Sequence, residues 1–186
     1  MVRVICEGKS DVKQIKSILK FLDINFQEQN FMFTNGKSFL LDYSIPKYKT
    51  LLEHIENGFV KKVLFIVDVD NVENDASLCG LENTTTKIEA LQKDLKIKEI
   101  SDYFLACDPI TKKGYFESLL LSTVDKEVKK CYEDFRDCSA LNSKSVDKNI
   151  LTELHNLTKP EKPYDFNHPN FKEIKDKLID LFKGTE

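Results

Sequence analysis

The fold is decided by one stretch of the sequence, Val63-Leu64-Phe65-Ile66-Val67-Asp68-Val69-Asp70-Asn71. Five apolar, mostly β-branched residues lead it, and an unbroken run of this length is typical of a strand buried on both faces, as in a parallel sheet under helices. Because side chains alternate along a strand, Asp68 and Asp70 would point the same way if the strand continued through both. The carboxyl ends of such strands are where open α/β sheets place their ligand sites.

The two aspartates point to a divalent cation. Carboxylates held one residue apart repel each other unless a positive charge joins them. Mg²⁺ is a hard cation that prefers oxygen ligands, so it is the natural candidate, with Mn²⁺ as the alternative. The sequence therefore predicts a metal site at the carboxyl end of this strand.

Length and composition are those of one ordinary domain, or of one domain with a small appendage. The chain has 186 residues, is 41% hydrophobic and has a net charge of −3, so it is less basic than proteins that grip nucleic acid with a large basic face. The five cysteines form no Cys-x-x-Cys pair, and the three histidines form no zinc spacing. Met1 leads directly into a predicted strand and no apolar run could span a membrane, so we expect a reduced, cytoplasmic protein without a membrane partner.

Strand and helix patterns alternate from residue 2 to residue 108. Besides the run at Val63, strands are predicted over 2–6, 31–34 and 103–107. Helical spacing of apolar residues separates them, and the third helix is predicted to begin at the capping box Thr86-Lys87-Ile88-Glu89. This β-α-β-α-β-α-β order predicts an α/β domain with a mainly parallel, four-stranded sheet flanked by helices.

A strand–turn–helix at the beginning of the chain places two acids near the predicted metal site. The first strand is followed by Glu7-Gly8-Lys9-Ser10-Asp11. Gly8 allows a tight turn, Ser10 can cap a helix, and Asp11 suits the first turn of that helix. Glu7 is therefore expected at the carboxyl end of a strand, on the same edge of the sheet as Asp68.

The turn after the second strand, Asn35-Gly36-Lys37-Ser38, has two interpretations. Its backbone N–H groups and the Lys37 ammonium could contact a phosphate, or Asn-Gly could simply form a turn. The glycine spacing of a P-loop is absent. Both interpretations stay open at the level of sequence.

The last third of the chain is predicted to be helical. A helix start is expected at 114–121, with Glu117 among apolar residues, and further helices at about 125–137, 146–157 and 170–183. An acid among so many hydrophobic residues lies either on the exposed side of its helix or at a functional site.

These motifs together resemble the Toprim domain, which occurs in topoisomerases, primases, the ribonuclease M5 maturase and overcoming-lysogenization-defect (OLD) nucleases. The resemblance depends on Val4-Ile5-Cys6-Glu7-Gly8-Lys9-Ser10-Asp11 and Ile66-Val67-Asp68-Val69-Asp70. Its Glu-Gly-x-x-Asp form is most similar to OLD nucleases and small stand-alone Toprim proteins. It implies a Rossmann-like Toprim domain over residues 1–122, with residues 123–186 as a helical C-terminal extension packed on it.

The resemblance also implies a role for each matching acid. Glu7 would act as general acid/base, and Asp68 and Asp70 would bind Mg²⁺ and take part in catalysis with it. In OLD-like members the acids that match Asp11 and Glu73 also contact metal, and Glu7 itself belongs to the metal set.

A further acid and several basic residues complete the expected site. Glu117 is the candidate for the downstream acid of the family. Lys9, together with Gly36 and Lys37, is a candidate contact to nucleic acid or phosphate. Lys112 and Lys113 lie near Glu117 in the sequence and are weaker candidates for the same role.

The implied function is a Mg²⁺-dependent, nuclease-like hydrolase acting on DNA or RNA. The chain has no topoisomerase tyrosine in context, no primase zinc module and no OLD ATPase domain, so any ATP-driven step would come from a separately encoded partner ATPase. The alternative is a non-catalytic Toprim module that binds nucleic acid, a nucleotide or that partner. A receiver-like phosphorylation switch fits the Glu-Gly-x-x-Asp turn poorly, and the oligomeric state stays open.

Overall fold

A four-stranded parallel sheet forms the centre of the protein. The structure is a computed structural model and describes residues 1–73, 75–139 and 166–183 and the single positions 150 and 153. Its strands are β1 (Val2–Cys6), β2 (Phe31–Phe33), β3 (Lys62–Asp68) and β4 (Ser101–Ala106). All are parallel, and their order in the sheet is β2-β1-β3-β4. The predicted α/β architecture is confirmed.

Strand β3 lies inside the sheet, between β1 and β4, and its apolar side chains are buried on both faces. Leu64 and Ile66 belong to the hydrophobic core on one face, whereas Val63, Phe65 and Val67 belong to the core on the other. Full burial of a side chain of this size stabilises the fold by about 1.5–3 kcal/mol. This explains why the sequence is continuously apolar here instead of alternating.

Seven helices are described around the sheet, with short 3₁₀ turns at Glu28–Asn30, Lys98–Ile100 and Pro169–Phe171. The described helices are α1 (Lys9–Phe21), α2 (Lys37–Leu40), α3 (Pro46–Glu56), α4 (Leu81–Asp94), α5 (Phe116–Leu121), α6 (Lys126–Ser139) and α7 (Lys172–Phe182).

The helices form one layer on each face of the sheet. One layer contains α1, α5 and α7, whose core residues include Ile15, Phe116 and Leu178. The other layer contains α3 and α4, represented by Tyr48 and Ile88. Helices thus lie on both faces of the sheet.

The end of the chain is part of the first layer. The rings of Phe166 and Phe171 pack edge to face with centroids 5.0 Å apart, and Phe21 of α1 packs on Phe166 in the same way at 5.6 Å. The helices predicted at 125–137 and 170–183 correspond to α6 and α7. The helix predicted at 146–157 lies outside the described residues, apart from positions 150 and 153, and the boundary predicted at residue 122 stays a prediction.

Two predicted helix starts are wrong in detail. Helix α4 begins at Leu81, five residues before Thr86, because Gly80 adopts a φ of 90° and its carbonyl accepts the Thr84 N–H at 3.0 Å. Helix α1 begins at Lys9, so Ser10 lies inside it. The capping contact comes instead from Asp11, whose Oδ2 accepts the Gly8 N–H at 2.8 Å.

Within the described part of the chain, none of the helices is both long enough and apolar enough to cross a membrane.

Candidate functional site

Five of the carboxylates predicted from the sequence are buried at or near the carboxyl edge of the sheet. Each exposes no more than 7% of its surface, and all five were predicted from the sequence. They are Glu7, Asp11, Asp68, Asp70 and Glu117. Because an ionised carboxylate is costly to bury without compensation, the environment of each one indicates what the site can do.

Glu7 joins the ends of β1 and β3. It follows the last residue of β1, and its Oε1 accepts the backbone N–H of Asp68 at 2.9 Å. Its own carbonyl accepts the N–H of Gly36 at 2.9 Å. Glu7 is therefore connected through its side chain to β3 on one side and through its main chain to the turn after β2 on the other.

Asp68 links the end of β3 to the beginning of α5. Its Oδ1 accepts the backbone N–H of Phe116 at 3.1 Å. Phe116 is the first residue of α5 and Glu117 is the second, so this hydrogen bond brings the downstream acid to the same edge of the sheet. These contacts place Glu7, Asp68 and the first turn of α5 next to one another.

Asp68 and Asp70 would point the same way only if the strand continued through both residues. In the structure the strand ends before Asp70. Strand β3 ends at Asp68, and Asp70 adopts a left-handed φ of 59°. Asp70 forms an isolated antiparallel bridge with Gly114, in which each residue donates an N–H to the other's carbonyl. The direction of the Asp70 side chain is thus set by this bridge and by the turn, not by strand alternation.

The turn after β2 contacts the residues at the ends of β1 and β3. Gly36 has a φ of 132°, and its N–H is donated to Glu7 instead of pointing outward. Lys37 is 8% exposed, and its ammonium lies inside the protein, 3.6 Å from Oδ2 of Asp70. The predicted phosphate contacts of Gly36 and Lys37 stay predictions, and the contacts described favour the turn interpretation.

The acid Glu73 and three of the predicted basic residues, Lys9, Lys112 and Lys113, lie on the surface. Glu73 is largely exposed and lies 3.9 Å from Lys113, which is also exposed. Lys112 is exposed, with a left-handed φ of 56°. Lys9 is exposed, and its ammonium lies 5.4 Å from the centre of the Phe33 ring. None of these four is among the buried residues at the sheet edge.

The thiol of Cys6 shows how acidic this region is. Burial raises its pKa well above the ordinary value, and the nearby carboxylates of Asp11, Asp68 and Glu7 raise the pKa further. Three acids, from the residue after β1, the first turn of α1 and the end of β3, therefore act on one atom at the end of β1. All five cysteines of the chain are free thiols.

Among the described residues, Lys37 is the only buried cation, against six buried carboxylates. The sixth acid, Asp108, was not predicted as a site residue. It follows β4 at the same edge of the sheet and could have been found from its position directly after the strand. Its Oδ2 lies 3.0 Å from the ammonium of Lys129, which leaves the five predicted acids with Lys37 as their buried cation.

The donor atoms at this edge suit Mg²⁺, since all five carboxylates offer hard oxygen ligands. Within the described residues, however, no three acidic, histidine or cysteine side chains are grouped around a point that could hold a metal ion. The chemistry of the residues therefore fits the ion, and some of the side chains would have to turn to surround it.

The fold and this edge define an α/β protein with an acidic cluster at the carboxyl ends of a parallel sheet. Comparison with models of protein families, with curated proteins and with solved structures finds no match to the chain.

Proposed function

We propose that the protein is a Mg²⁺-dependent, nuclease-like enzyme of the Toprim type that processes phosphodiester bonds in DNA or RNA. The observation that supports this proposal most is the burial of Glu7, Asp11, Asp68, Asp70 and Glu117 at one edge of the sheet, with Lys37 as their buried cation. Buried carboxylates in such excess favour the binding of a further cation.

Asp68 and Asp70 would hold the ion, with Asp11 and Glu117 as further oxygen ligands. When bound, Mg²⁺ neutralises phosphate charge and lowers the pKa of coordinated water. Asp68 already accepts the Phe116 N–H at 3.1 Å, so one of its oxygens is oriented by the beginning of α5. An oriented first ligand reduces the rearrangement that ion binding requires.

Glu7 is the proposed general acid/base. Its Oε1 is held by the Asp68 N–H, which fixes the side chain beside the metal-binding strand. A carboxylate held in this position could exchange a proton with an attacking or leaving oxygen. The proposed task of Glu7 is to accept a proton from the nucleophile or to return one to the leaving group.

The first experiment measures cleavage of plasmid DNA, single-stranded DNA and RNA with Mg²⁺ or Mn²⁺. It compares the wild type with Glu7→Gln and Asp68→Asn, because both amides can still accept the hydrogen bonds described here. Glu56→Gln, at the exposed end of α3, is the matched control. The proposal expects cleavage by the wild type and the control and its loss in both site variants, whereas equal activity in all four would indicate a contaminating nuclease.

A non-catalytic module is the second candidate. The net charge of −3 supports it, because the chain is less basic than proteins that grip nucleic acid with a large basic face. This candidate predicts binding of a nucleotide, nucleic acid or partner ATPase without any cleavage. Active cleavage that depends on Glu7 would exclude it.

A further inference from the structure

The ammonium of Lys37 lies in a cage of oxygens between β3 and α4. It donates to the carbonyls of Asp68 at 2.6 Å and Val69 at 3.1 Å, and to Oγ1 of Thr84 at 2.9 Å. An ammonium has three protons, so these acceptors match its full hydrogen-bonding capacity. The carboxylate of Asp70, at 3.6 Å, is attracted by the charge but lies beyond hydrogen-bond distance.

Two successive carbonyls that share one donor are unusual at a strand end. In an extended strand, neighbouring carbonyls point to opposite sides. Here the carbonyls of Asp68 and Val69 both reach Lys37, and Asp70 then enters the left-handed region. Carbonyl dipoles whose negative ends lie side by side repel, so a buried cation between them stabilises this conformation of the main chain.

The same short turn also contacts the end of β1. Gly36, next to Lys37, donates its N–H to the carbonyl of Glu7. Because β1 lies between β2 and β3, the turn after β2 crosses the end of one strand and reaches the next. Gly36 thus holds the main chain at Glu7, and Lys37 holds the main chain at Asp68 and Val69.

We propose that Lys37 is a positioning residue: its ammonium fixes the main chain between Asp68 and Asp70 and thereby presents the two carboxylates to a divalent cation. The inference rests on the proposed function for the identity of that cation. It assigns Lys37 no contact with a phosphate, because all three ammonium protons have acceptors inside the protein.

The test uses the full chain and the variant Lys37→Met, which keeps a similar length and removes the charge and the donors. Tyr48→Phe is the matched control, since it removes one buried hydrogen bond, to the carbonyl of Leu40, and keeps the ring that packs on Phe65 of β3. Amide hydrogen exchange followed by NMR in Mg²⁺-free buffer is the first measurement. The amides that report are those of Asp70 and Phe116, which donate to Gly114 and Asp68.

Positioning predicts a local effect. In Lys37→Met, exchange at Asp70 and Phe116 should accelerate more than at Phe65 in the middle of β3, whereas in Tyr48→Phe it should not. Equal acceleration at all three amides would mean that Lys37 only adds global stability, and unchanged rates would mean that it adds nothing; either result overturns the proposal. If Lys37→Met does not fold, Thr84→Val, which removes one acceptor of the ammonium, is judged by the same criterion.

Calorimetric titration with Mg²⁺ is the second measurement. Residues that orient metal ligands typically change affinity by about 10–100-fold, so Lys37→Met should bind Mg²⁺ at least roughly tenfold more weakly than the wild type. Equal binding by both would overturn the positioning role and leave the metal proposal intact. Failure of the wild type to bind Mg²⁺ would instead count against the proposed function, while the exchange data would still decide the role of Lys37.

Lys37→Arg separates positioning from phosphate contact. A guanidinium keeps the charge but cannot direct its N–H groups to the same three acceptors. Positioning therefore expects Lys37→Arg to resemble Lys37→Met in amide exchange and Mg²⁺ affinity. A variant that keeps wild-type exchange and Mg²⁺ binding would contradict the cage and favour a phosphate contact, which arginine can also make.

Discussion

Asp68 and Asp108 both lie at the carboxyl ends of neighbouring strands but have opposite surroundings. Asp68 ends β3, Asp108 follows β4, and both are almost fully buried. Asp108 accepts the N–H groups of Ile110 and Thr111 and pairs with the ammonium of Lys129 at 3.0 Å. Asp68 instead lies with Glu7 and Asp11 around a single thiol, whose pKa all three carboxylates raise.

The difference shows that an aspartate at the end of a strand does not define a site by itself. Although burial alone would raise its pKa, the amide hydrogen bonds and Lys129 hold the pKa of Asp108 below its ordinary value, so its charge is already compensated. Its contacts close the loop after β4 and attach α6 to that loop. The cluster around Asp68 has the opposite balance, with more buried acids than buried cations.

The largest contrast is expected in catalysis. Glu7→Gln should lower the rate of metal-dependent cleavage by roughly a hundredfold or more, because it removes the proposed general acid/base. Asp108→Asn should leave the rate near that of the wild type, because the Asp108 carboxylate makes its contacts within the loop after β4 and with Lys129 of α6. Single-turnover cleavage of a labelled DNA or RNA measures both, and an equal loss in the two variants would remove the distinction between the two acids.

Metal-dependent stability should separate the same two positions. At a Mg²⁺ concentration about a hundred times the Kd, binding to the folded state alone raises the free energy of unfolding by about 2.7 kcal/mol. Wild type and Asp108→Asn should show this gain in urea unfolding with and without chelator. Asp68→Asn should show little of it, and a full gain in this variant would place the ion elsewhere.

The stability of Asp108→Asn without metal should depend on pH. Loss of the charge-assisted hydrogen bonds of Asp108 should lower the free energy of unfolding by about 1–3 kcal/mol at neutral pH. Because the folded-state pKa of Asp108 lies below its ordinary value, its contribution is complete above about pH 4 and declines as the pH falls through the folded-state pKa. The difference between wild type and variant should therefore shrink in acid, which urea unfolding at several pH values can measure.

The smallest effect is expected at Glu73. Its only described ion pair is the exposed contact with Lys113 at 3.9 Å, and exposed pairs of this kind contribute about 0–1 kcal/mol. Glu73→Gln should leave stability nearly unchanged and should not weaken Mg²⁺ binding in calorimetry. A clear loss of affinity would instead support the metal role that the sequence resemblance implies for this residue.

Much of the edge that contains the acids could be predicted from local patterns. The apolar run before Asp68 and the glycine turn after Glu7 are short-range features, and parallel strands place their carboxyl ends on one edge of a sheet. The prediction weakened where the conformation depends on distant residues. The left-handed Asp70, for example, is bridged by Gly114, which is far from it in the sequence.

The sequence by itself determined the parallel α/β fold and the acids that would gather at its edge. Apolar runs of a few residues are enough to predict the buried strands, and acids such as Glu7 and Asp68 follow these runs directly in the sequence. Only the tertiary structure decided the role of each charge. Lys37 lies inside because the turn after β2 crosses the end of β1, and Asp108 is neutralised because α6 brings Lys129 to it. Contacts between residues far apart in the chain depend on how the elements pack, and no local pattern encodes them.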